Sequence, residues 1–280
     1  MAGSSMKAIK LRIRSVESTM QITKAMQLVA TSKLRRAKER MEQSKPYAAL
    51  SREAVMAAVS SLDDQDTPFV HQREVKKRCY AVIAGERGLA GGYNANVFKA
   101  VLSDAGETPY CVLPLGRKAI DKFERLGVEL LNTDHGHVEG LGVTACYRLS
   151  RLLIEGYLSE AYDEIKLVYT SFQSMMAQEV KIEKLLPIPK AEGVQRPVTT
   201  VYEPSVEEML ERVVPDFLAG RLYSAACDAF ASEVSARRNA MDSATKNAGE
   251  MISTLRLHYN RARQGAITQE ITEIVAGAEK

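Results

Sequence analysis

The C-terminal part of this sequence constrains its fold more than any other stretch. From Pro215 to Val275 no further proline occurs, and apolar or small residues recur at steps of three, four or seven. This spacing predicts one helix with an apolar seam of the kind found in coiled coils. About 60 helical residues at 1.5 Å each span roughly 90 Å. A helix this long cannot bury its seam alone, so it needs a partner of comparable length.

The N-terminal part offers that partner. Apolar residues recur at helical spacing from Lys7 to Ser44, with one gap around Thr23. Pro46 predicts a kink or short break, after which the helical pattern resumes as far as Leu62. The two helices are expected to pair antiparallel, because the intervening domain returns the chain to near its starting point. The C-terminal helix is the longer, so its end is expected to project beyond the paired part or approach its tip.

Between these helices the hydrophobic period changes. Candidate strands lie at 79–84, 110–114, 164–172 and 180–186, and candidate helices at 96–102, 117–125 and 144–157. Strands that alternate with helices predict an α/β domain with a largely parallel sheet. The predicted fold is α/β plus a long antiparallel coiled coil, with a central Rossmann-like domain at its base. The predicted divisions are 1–62 for the N-terminal helix, 75–190 for the α/β domain and 206–276 for the C-terminal helix.

Composition narrows the function. The net charge of +3 is too small to indicate nucleic acid by itself, although residues 1–45 carry eleven Lys or Arg against three Glu. Four scattered cysteines fit reduced thiols in a cytosolic compartment. The sequence has no signal-peptide core and no run of 18 apolar residues, so we expect no direct membrane insertion.

Two glycine-containing loops are candidates for a ligand site. The glycines of Gly85–Gly92 do not give G-x-G-x-x-G, and no G-K-[ST] follows, which favours a tight strand-to-helix turn over a phosphate site. His135 and His137, with Asp134 and Glu139 nearby, lack a third ligand at a fixed helical spacing, which favours a surface loop over a metal site. The sequence predicts no catalytic residue, no metal and no cofactor.

Two helical segments carry candidate contact residues. The basic stretch Ser32–Arg40 is compatible with a nucleic-acid or membrane surface, with a solvated coiled-coil face, or with a protein partner that has acidic loops. Near the C-terminus, the side chains from Tyr259 to Glu270 can hydrogen-bond and are unusual for a free helix end. We therefore expect them to contact a surrounding partner.

Four segments together resemble the gamma subunit of F-type ATP synthase. They are Ile22-Thr-Lys-Ala-Met-Gln-Leu-Val-Ala-Thr-Ser-Lys-Leu-Arg-Arg-Ala37, Glu86-Arg-Gly-Leu-Ala-Gly-Gly-Tyr-Asn94, 231–241 and 259–274. The resemblance covers both ends and the middle of the chain. Ala90 stands where many members have Cys. Gly265 stands where the family usually has Ala, and glycine inside a helix costs roughly 0.5–1 kcal/mol.

The resemblance implies a central rotor shaft that couples ion flow through a membrane c-ring to ATP synthesis or hydrolysis. It implies that the coiled coil turns inside a ring of three alpha and three beta subunits, which hold the catalytic sites. The α/β domain then forms a foot with the epsilon subunit on the c-ring. The expected location is the bacterial inner membrane, peripheral on its cytoplasmic side.

The resemblance also assigns contact residues by position. The motif that contacts the beta-subunit loops and the ring around the shaft is matched by Arg263, Gln264, Thr268 and Gln269. The basic part of the first helix, which faces acidic segments of the beta subunits, is matched by Lys24, Lys33, Arg35 and Arg36. Tyr202 and Glu203 match the segment near the membrane ring and epsilon. Two alternatives stay open: a coiled-coil adaptor that binds nucleic acid through its basic helix, and an enzyme that uses the glycine turn.

Overall fold

The structure is a computed structural model that describes residues 2–62, 67–133, 137–189 and 202–278. Its elements, in chain order, are α1 (Ala2–Ser61), β1 (Arg78–Ile83), α2 (Tyr93–Ala105), β2 (Tyr110–Leu115), α3 (Arg117–Arg125), β3 (Glu129–Leu130), a short 3-10 turn (Val138–Gly140), α4 (Val143–Leu158), β4 (Glu164–Phe172), β5 (Gln178–Leu186) and α5 (Val206–Ala278). All four predicted strands are present. The two-residue strand β3 was not predicted.

The chain forms two compact units, and each long helix contributes to both. The coil unit comprises residues 1–31 and 237–280, and the foot unit comprises residues 32–236. In the coil unit, hydrogen bonds join Thr23 to Thr245 (2.8 Å between the hydroxyl oxygens) and Gln27 Nε2 to Asp242 Oδ1 (2.9 Å). Partner numbers fall along α5 as they rise along α1, which confirms the predicted antiparallel pairing.

Polar pairs interrupt the seam of the coil unit. Thr23 is buried at the point where the apolar pattern of α1 has its gap, and its hydroxyl faces Thr245. A hydrogen bond from Lys246 holds the pKa of Asp242 below its ordinary value, which keeps this carboxylate ionised as the acceptor for Gln27. Directional polar pairs fix the register of two helices, whereas apolar contacts tolerate sliding. Met251 was predicted on the seam but is 46% exposed, and Ile252 is buried instead.

In the foot unit, the sheet has strand order β3-β2-β1-β4-β5. The first four strands are parallel, and β5 pairs antiparallel with β4. Alternate residues of each strand face two separate apolar cores, as the pleat requires. One core packs the sheet against α4 and the foot-unit parts of α1 and α5. The other packs it against α2 and α3.

Both helix prolines lie inside helices that continue past them. The break predicted at Pro46 is wrong, because α1 remains helical to Ser61. Likewise α5 begins at Val206 and runs through Pro215. An interior proline costs about 3 kcal/mol of helix stability. Burial of Ala48, Val55, Ala58 and Val59 beyond the first proline, and of Leu210 and Val214 before the second, offsets that cost.

An ion-pair cluster lies where β1 and β4 begin. Tyr80 Oη donates to Asp104 Oδ2 at 2.6 Å, and Lys166 Nζ lies 2.8 Å from the same oxygen. Burial alone would raise the pKa of Asp104, but the hydrogen bonds from Lys166 and Tyr80 outweigh it and hold that pKa below its ordinary value. A depressed carboxyl pKa contributes stability above the unfolded-state pKa, and this contribution is lost as pH falls through the folded-state value.

We expect Asp104→Asn to lower the free energy of unfolding by about 1–2 kcal/mol at neutral pH. The difference from the wild type should shrink below about pH 4, where the unfolded-state carboxyl also protonates. Urea unfolding followed at several pH values measures it. Asp121→Asn is the control, because the ion pairs that Asp121 forms with Arg117 and Lys118 lie on the surface of α3. A difference independent of pH would show that the pKa of Asp104 is not depressed.

Candidate functional site

The end of α5 exposes an apolar stripe beside hydrogen-bonding side chains. Ile267, Ile271, Ile274 and Val275 are 47–71% exposed and recur at helical spacing. Within the part of the chain that the structure describes, no residue covers them. An exposed stripe of this kind is typical of a surface that binds another protein. The structure thus leaves the predicted contact segment open to a partner.

The predicted polar residues of this segment are all exposed, but they differ in their bonding. Thr268 Oγ1 donates to the carbonyl of Gln264 at 3.0 Å, and Gln269 Nε2 donates to Glu273 Oε1 at 2.9 Å. The side chains of Arg263 and Gln264 lie on the exposed surface of the helix. Arg263 and Gln264 are therefore the better candidates for contact with a partner, because Thr268 and Gln269 are already engaged by their own helix.

The basic stretch of α1 divides between internal and external contacts. In the foot unit, Lys33 Nζ lies 2.7 Å from Glu139 Oε2, with both side chains about half exposed. Arg35 and Arg36 are exposed. Lys24 is also exposed and belongs to the coil unit. The exposed arginines keep their charge available to a partner, whereas Lys33 would have to leave Glu139 or share it.

Arg40 holds the loop before α4 against α1. Its guanidinium donates to the carbonyls of Glu139 and Leu141, each at 2.6 Å, and to Tyr223 Oη at 3.2 Å. Burial alone would lower the pKa of Arg40, but the bond to Tyr223 and nearby groups raise it above its ordinary value. Arg40 thus has a structural role, and its charge is not available to bind nucleic acid as the adaptor alternative would require. Nothing in the sequence pattern separates it from its exposed neighbours.

The glycine turn is closed by the protein itself. Gly85 N donates to Asn94 Oδ1 at 2.8 Å, and a Cβ atom at Gly85 would lie 2.8 Å from Glu233 Oε1 of α5. In open α/β sheets, ligands bind outside the carboxyl ends of the strands where the strand order reverses. Here that position lies between β1 and β4, and α5 occupies it. The prediction of a tight strand-to-helix turn agrees with this geometry.

The histidine-containing loop lies partly outside the described residues, which exclude Asp134 and His135. His137 Nδ1 lies 3.3 Å from Glu86 Oε2, and Glu139 pairs with Lys33. Among the residues that the structure describes, no group of three or more His, Cys, Asp or Glu is placed to hold a metal ion.

The two residues expected near the membrane ring lie just before α5. Tyr202 packs partly buried against the larger core of the foot unit, and Glu203 is exposed. Over the described residues, no helix combines the length and apolar character needed to cross a membrane.

Comparison with known proteins decides between the remaining interpretations. A family model described as ATP synthase matches residues 5–280. The ATP synthase gamma chain of Ruminococcus albus is 44% identical, with 97% of this chain and 96% of that relative covered. The chain belongs to the ATP synthase gamma-chain family. A gamma chain of Acetobacterium woodii, described as sodium ion specific, is 39% identical, with 97% of each chain covered.

The fold agrees with this family. The rotor of the Euglena gracilis mitochondrial ATP synthase superposes with a TM-score of 0.68 at 15% identity, covering 95% of this chain and 99% of the other. At that identity the likeness supports the fold alone, and it confirms the predicted fold class. The function predicted from the resemblance is likewise confirmed: a gamma chain is the central-stalk rotor subunit of the F-type ATP synthase.

The polar residues on the buried side of α5 were not predicted. Asp228, Ser232, Glu233 and Ser235 are all buried where α5 crosses the foot unit. The sequence feature that could have indicated their burial is the presence of polar residues next to the seam positions Ala231 and Val234. Buried polar groups generally need partners. Asp228 and Ser235 have theirs in β4 and the loop after it, whereas Ser232 Oγ has no hydrogen-bond partner among the described residues.

Proposed function

We propose that this chain is a non-catalytic rotor shaft that turns inside a ring of three alpha and three beta subunits. The exposed face at the end of α5 supports this most directly, because it presents apolar and polar side chains with no cover in the described residues. The catalytic sites then belong to the alpha and beta subunits. The segments 1–62 and 206–276 supply the two long helices of the shaft, and the α/β domain at 75–190 supplies the sheet of the foot unit, to which both helices contribute.

The surface between a rotating shaft and its ring must consist of many interactions, each of them weak. Exposed ion pairs contribute only ~0–1 kcal/mol each, so a surface of such pairs can be broken and remade as the shaft turns. We propose that Lys24, Lys33, Arg35 and Arg36 make these pairs with acidic segments of the beta subunits. Lys33 already forms one exposed pair with Glu139, and it would exchange this acceptor for one on the partner.

An asymmetric shaft gives the three surrounding catalytic sites different surroundings. The shaft can change the affinity of a catalytic site for its ligand only if it contacts one conformation of that site more favourably than another. We propose that Arg263, Gln264, Thr268 and Gln269 contact the upper part of the ring. The foot would bind epsilon and the membrane c-ring, with Tyr202 and Glu203 near that interface. The complex would place this chain at the inner membrane of a bacterium, peripheral on the cytoplasmic side.

Affinity purification through a tag on this chain tests the proposal. We expect alpha, beta and epsilon subunits to co-purify, and the complex to hydrolyse ATP. The isolated chain should have no ATPase activity. Stoichiometric turnover by the pure chain would contradict a non-catalytic role, and a preparation without alpha and beta subunits would contradict the ring.

A further inference from the structure

A cluster of directional bonds joins α5 to the carboxyl end of a central strand of the foot-unit sheet. Asp228 Oδ1 accepts from Phe172 N at 2.8 Å, and Asp228 Oδ2 accepts from Ser171 Oγ at 3.1 Å. Both partners lie at the carboxyl end of β4. Asp228 is 7% exposed, so water competes little for these bonds.

Contacts on either side extend the cluster. Tyr93 Oη, at the start of α2, donates to the carbonyl of Ala229 at 3.0 Å. Ser235 Oγ donates to the carbonyl of Met175, beyond the end of β4, at 3.1 Å. Glu233 also approaches Gly85 closely, which brings the end of β1 into the set of contacts with α5. The contacts therefore reach both strands that flank the reversal in strand order.

These bonds differ in kind from the apolar contacts around them. Apolar packing is non-directional, so it holds α5 against the sheet without requiring one particular pairing of atoms. A buried carboxylate that accepts two hydrogen bonds has a defined geometry, and charged acceptors form the stronger bonds. Displacing α5 by a fraction of a turn would leave Asp228 buried without its donors, which is costly.

We propose that Asp228 is a positioning residue that fixes the rotational register of α5 on the foot sheet, so that rotation of the foot is passed to the helix without slip. The proposal rests on the rotor function proposed above. In this arrangement the place where a doubly wound sheet usually binds a ligand serves as a mechanical joint. Asp228 is its central residue because its side chain bonds the strand backbone at Phe172 and the neighbouring Ser171 hydroxyl together.

The test measures coupling in membrane vesicles that contain the assembled complex. ATP hydrolysis is recorded together with the membrane potential that it generates, using a potential-sensitive dye that responds to either proton or sodium transport. We expect Asp228→Asn to lower the potential generated per ATP hydrolysed by at least about twofold, because an amide offers one acceptor atom where the carboxylate offers two. Asp228→Glu, which keeps the charge, should restore part of the loss.

Asp216→Asn is the matched control, since Asp216 is an exposed aspartate on the same helix. If Asp228→Asn prevents assembly, Ser171→Ala removes one bond of the pair and decides in its place. An unchanged ratio of potential to hydrolysis in the assembled variant would overturn the proposal, even with a lower melting temperature, since that combination indicates a structural role alone. A wild-type complex that generates no potential would instead overturn the rotor function itself.

Discussion

Replacing Gly116 with alanine is expected to lower the free energy of unfolding of the foot unit by about 4 kcal/mol or more. Gly116 lies between β2 and α3 with φ +95°, and a Cβ atom there would lie 2.1 Å from the carbonyl oxygen of Ala84. That oxygen belongs to the backbone at the end of β1, so it cannot move away as a flexible side chain would. The strain of a left-handed conformation and the steric clash therefore add together.

Gly127→Ala is the control for Gly116→Ala. Gly127 also has a positive φ, of +68°, but no heavy atom lies within 4 Å of the position its Cβ would take. It should therefore cost only the conformational strain, about 1–2 kcal/mol. Urea unfolding followed by near-ultraviolet circular dichroism suits the comparison, because Tyr80, Tyr157 and Tyr162 are buried in the foot and the sequence has no tryptophan. Equal losses in the two variants would show that the approach to Ala84 is not a constraint.

Replacing Arg263 and Gln264 together with alanine is expected to reduce ATP turnover by the complex about tenfold, since a few interface side chains carry most of a contact's energy. Both side chains are exposed, so the stability of the chain itself should change by no more than about 0.5 kcal/mol. Steady-state hydrolysis by the purified complex and thermal unfolding of the chain give the two quantities.

A loss of ATP turnover without a loss of stability would show that Arg263 and Gln264 contact a partner. Arg212→Ala provides the control, because Arg212 is an exposed arginine of α5 within the foot unit and pairs with Glu208 on the same helix. It should leave turnover unchanged. If turnover and stability fall in proportion in the double variant, Arg263 and Gln264 support the helix and do not contact a partner.

Periodicity predicted the elements of this fold well, because each long helix and each strand buries one continuous face. It failed where packing opposes a local preference. Pro46 and Pro215 disfavour a helix locally, yet the buried residues on both sides hold the helix together. The spacing of α5 placed Met251 on the seam, but Ile252 lies there, because a residue-by-residue pattern does not fix how the partner helix drifts around it.

The internal bonds of the candidate contact residues could not be predicted from the sequence, and their contact with a partner stays a prediction. Resemblance located Lys33 within the basic stretch, but the ion pair with Glu139 depends on two segments more than 100 residues apart. The same limit applies to Asp228, whose donors come from the end of β4. A single sequence shows polar residues beside an apolar seam, whereas their burial and their partners follow only from the tertiary fold.

The pairing of the two chain ends has a consequence for biosynthesis. Glu17 meets Arg256, and Thr23 meets Thr245, across 239 and 222 residues of sequence. The first helix therefore leaves the ribosome long before its partner exists, and its seam stays uncovered until translation is nearly complete. Exposed apolar surface of this kind makes a nascent chain prone to aggregation.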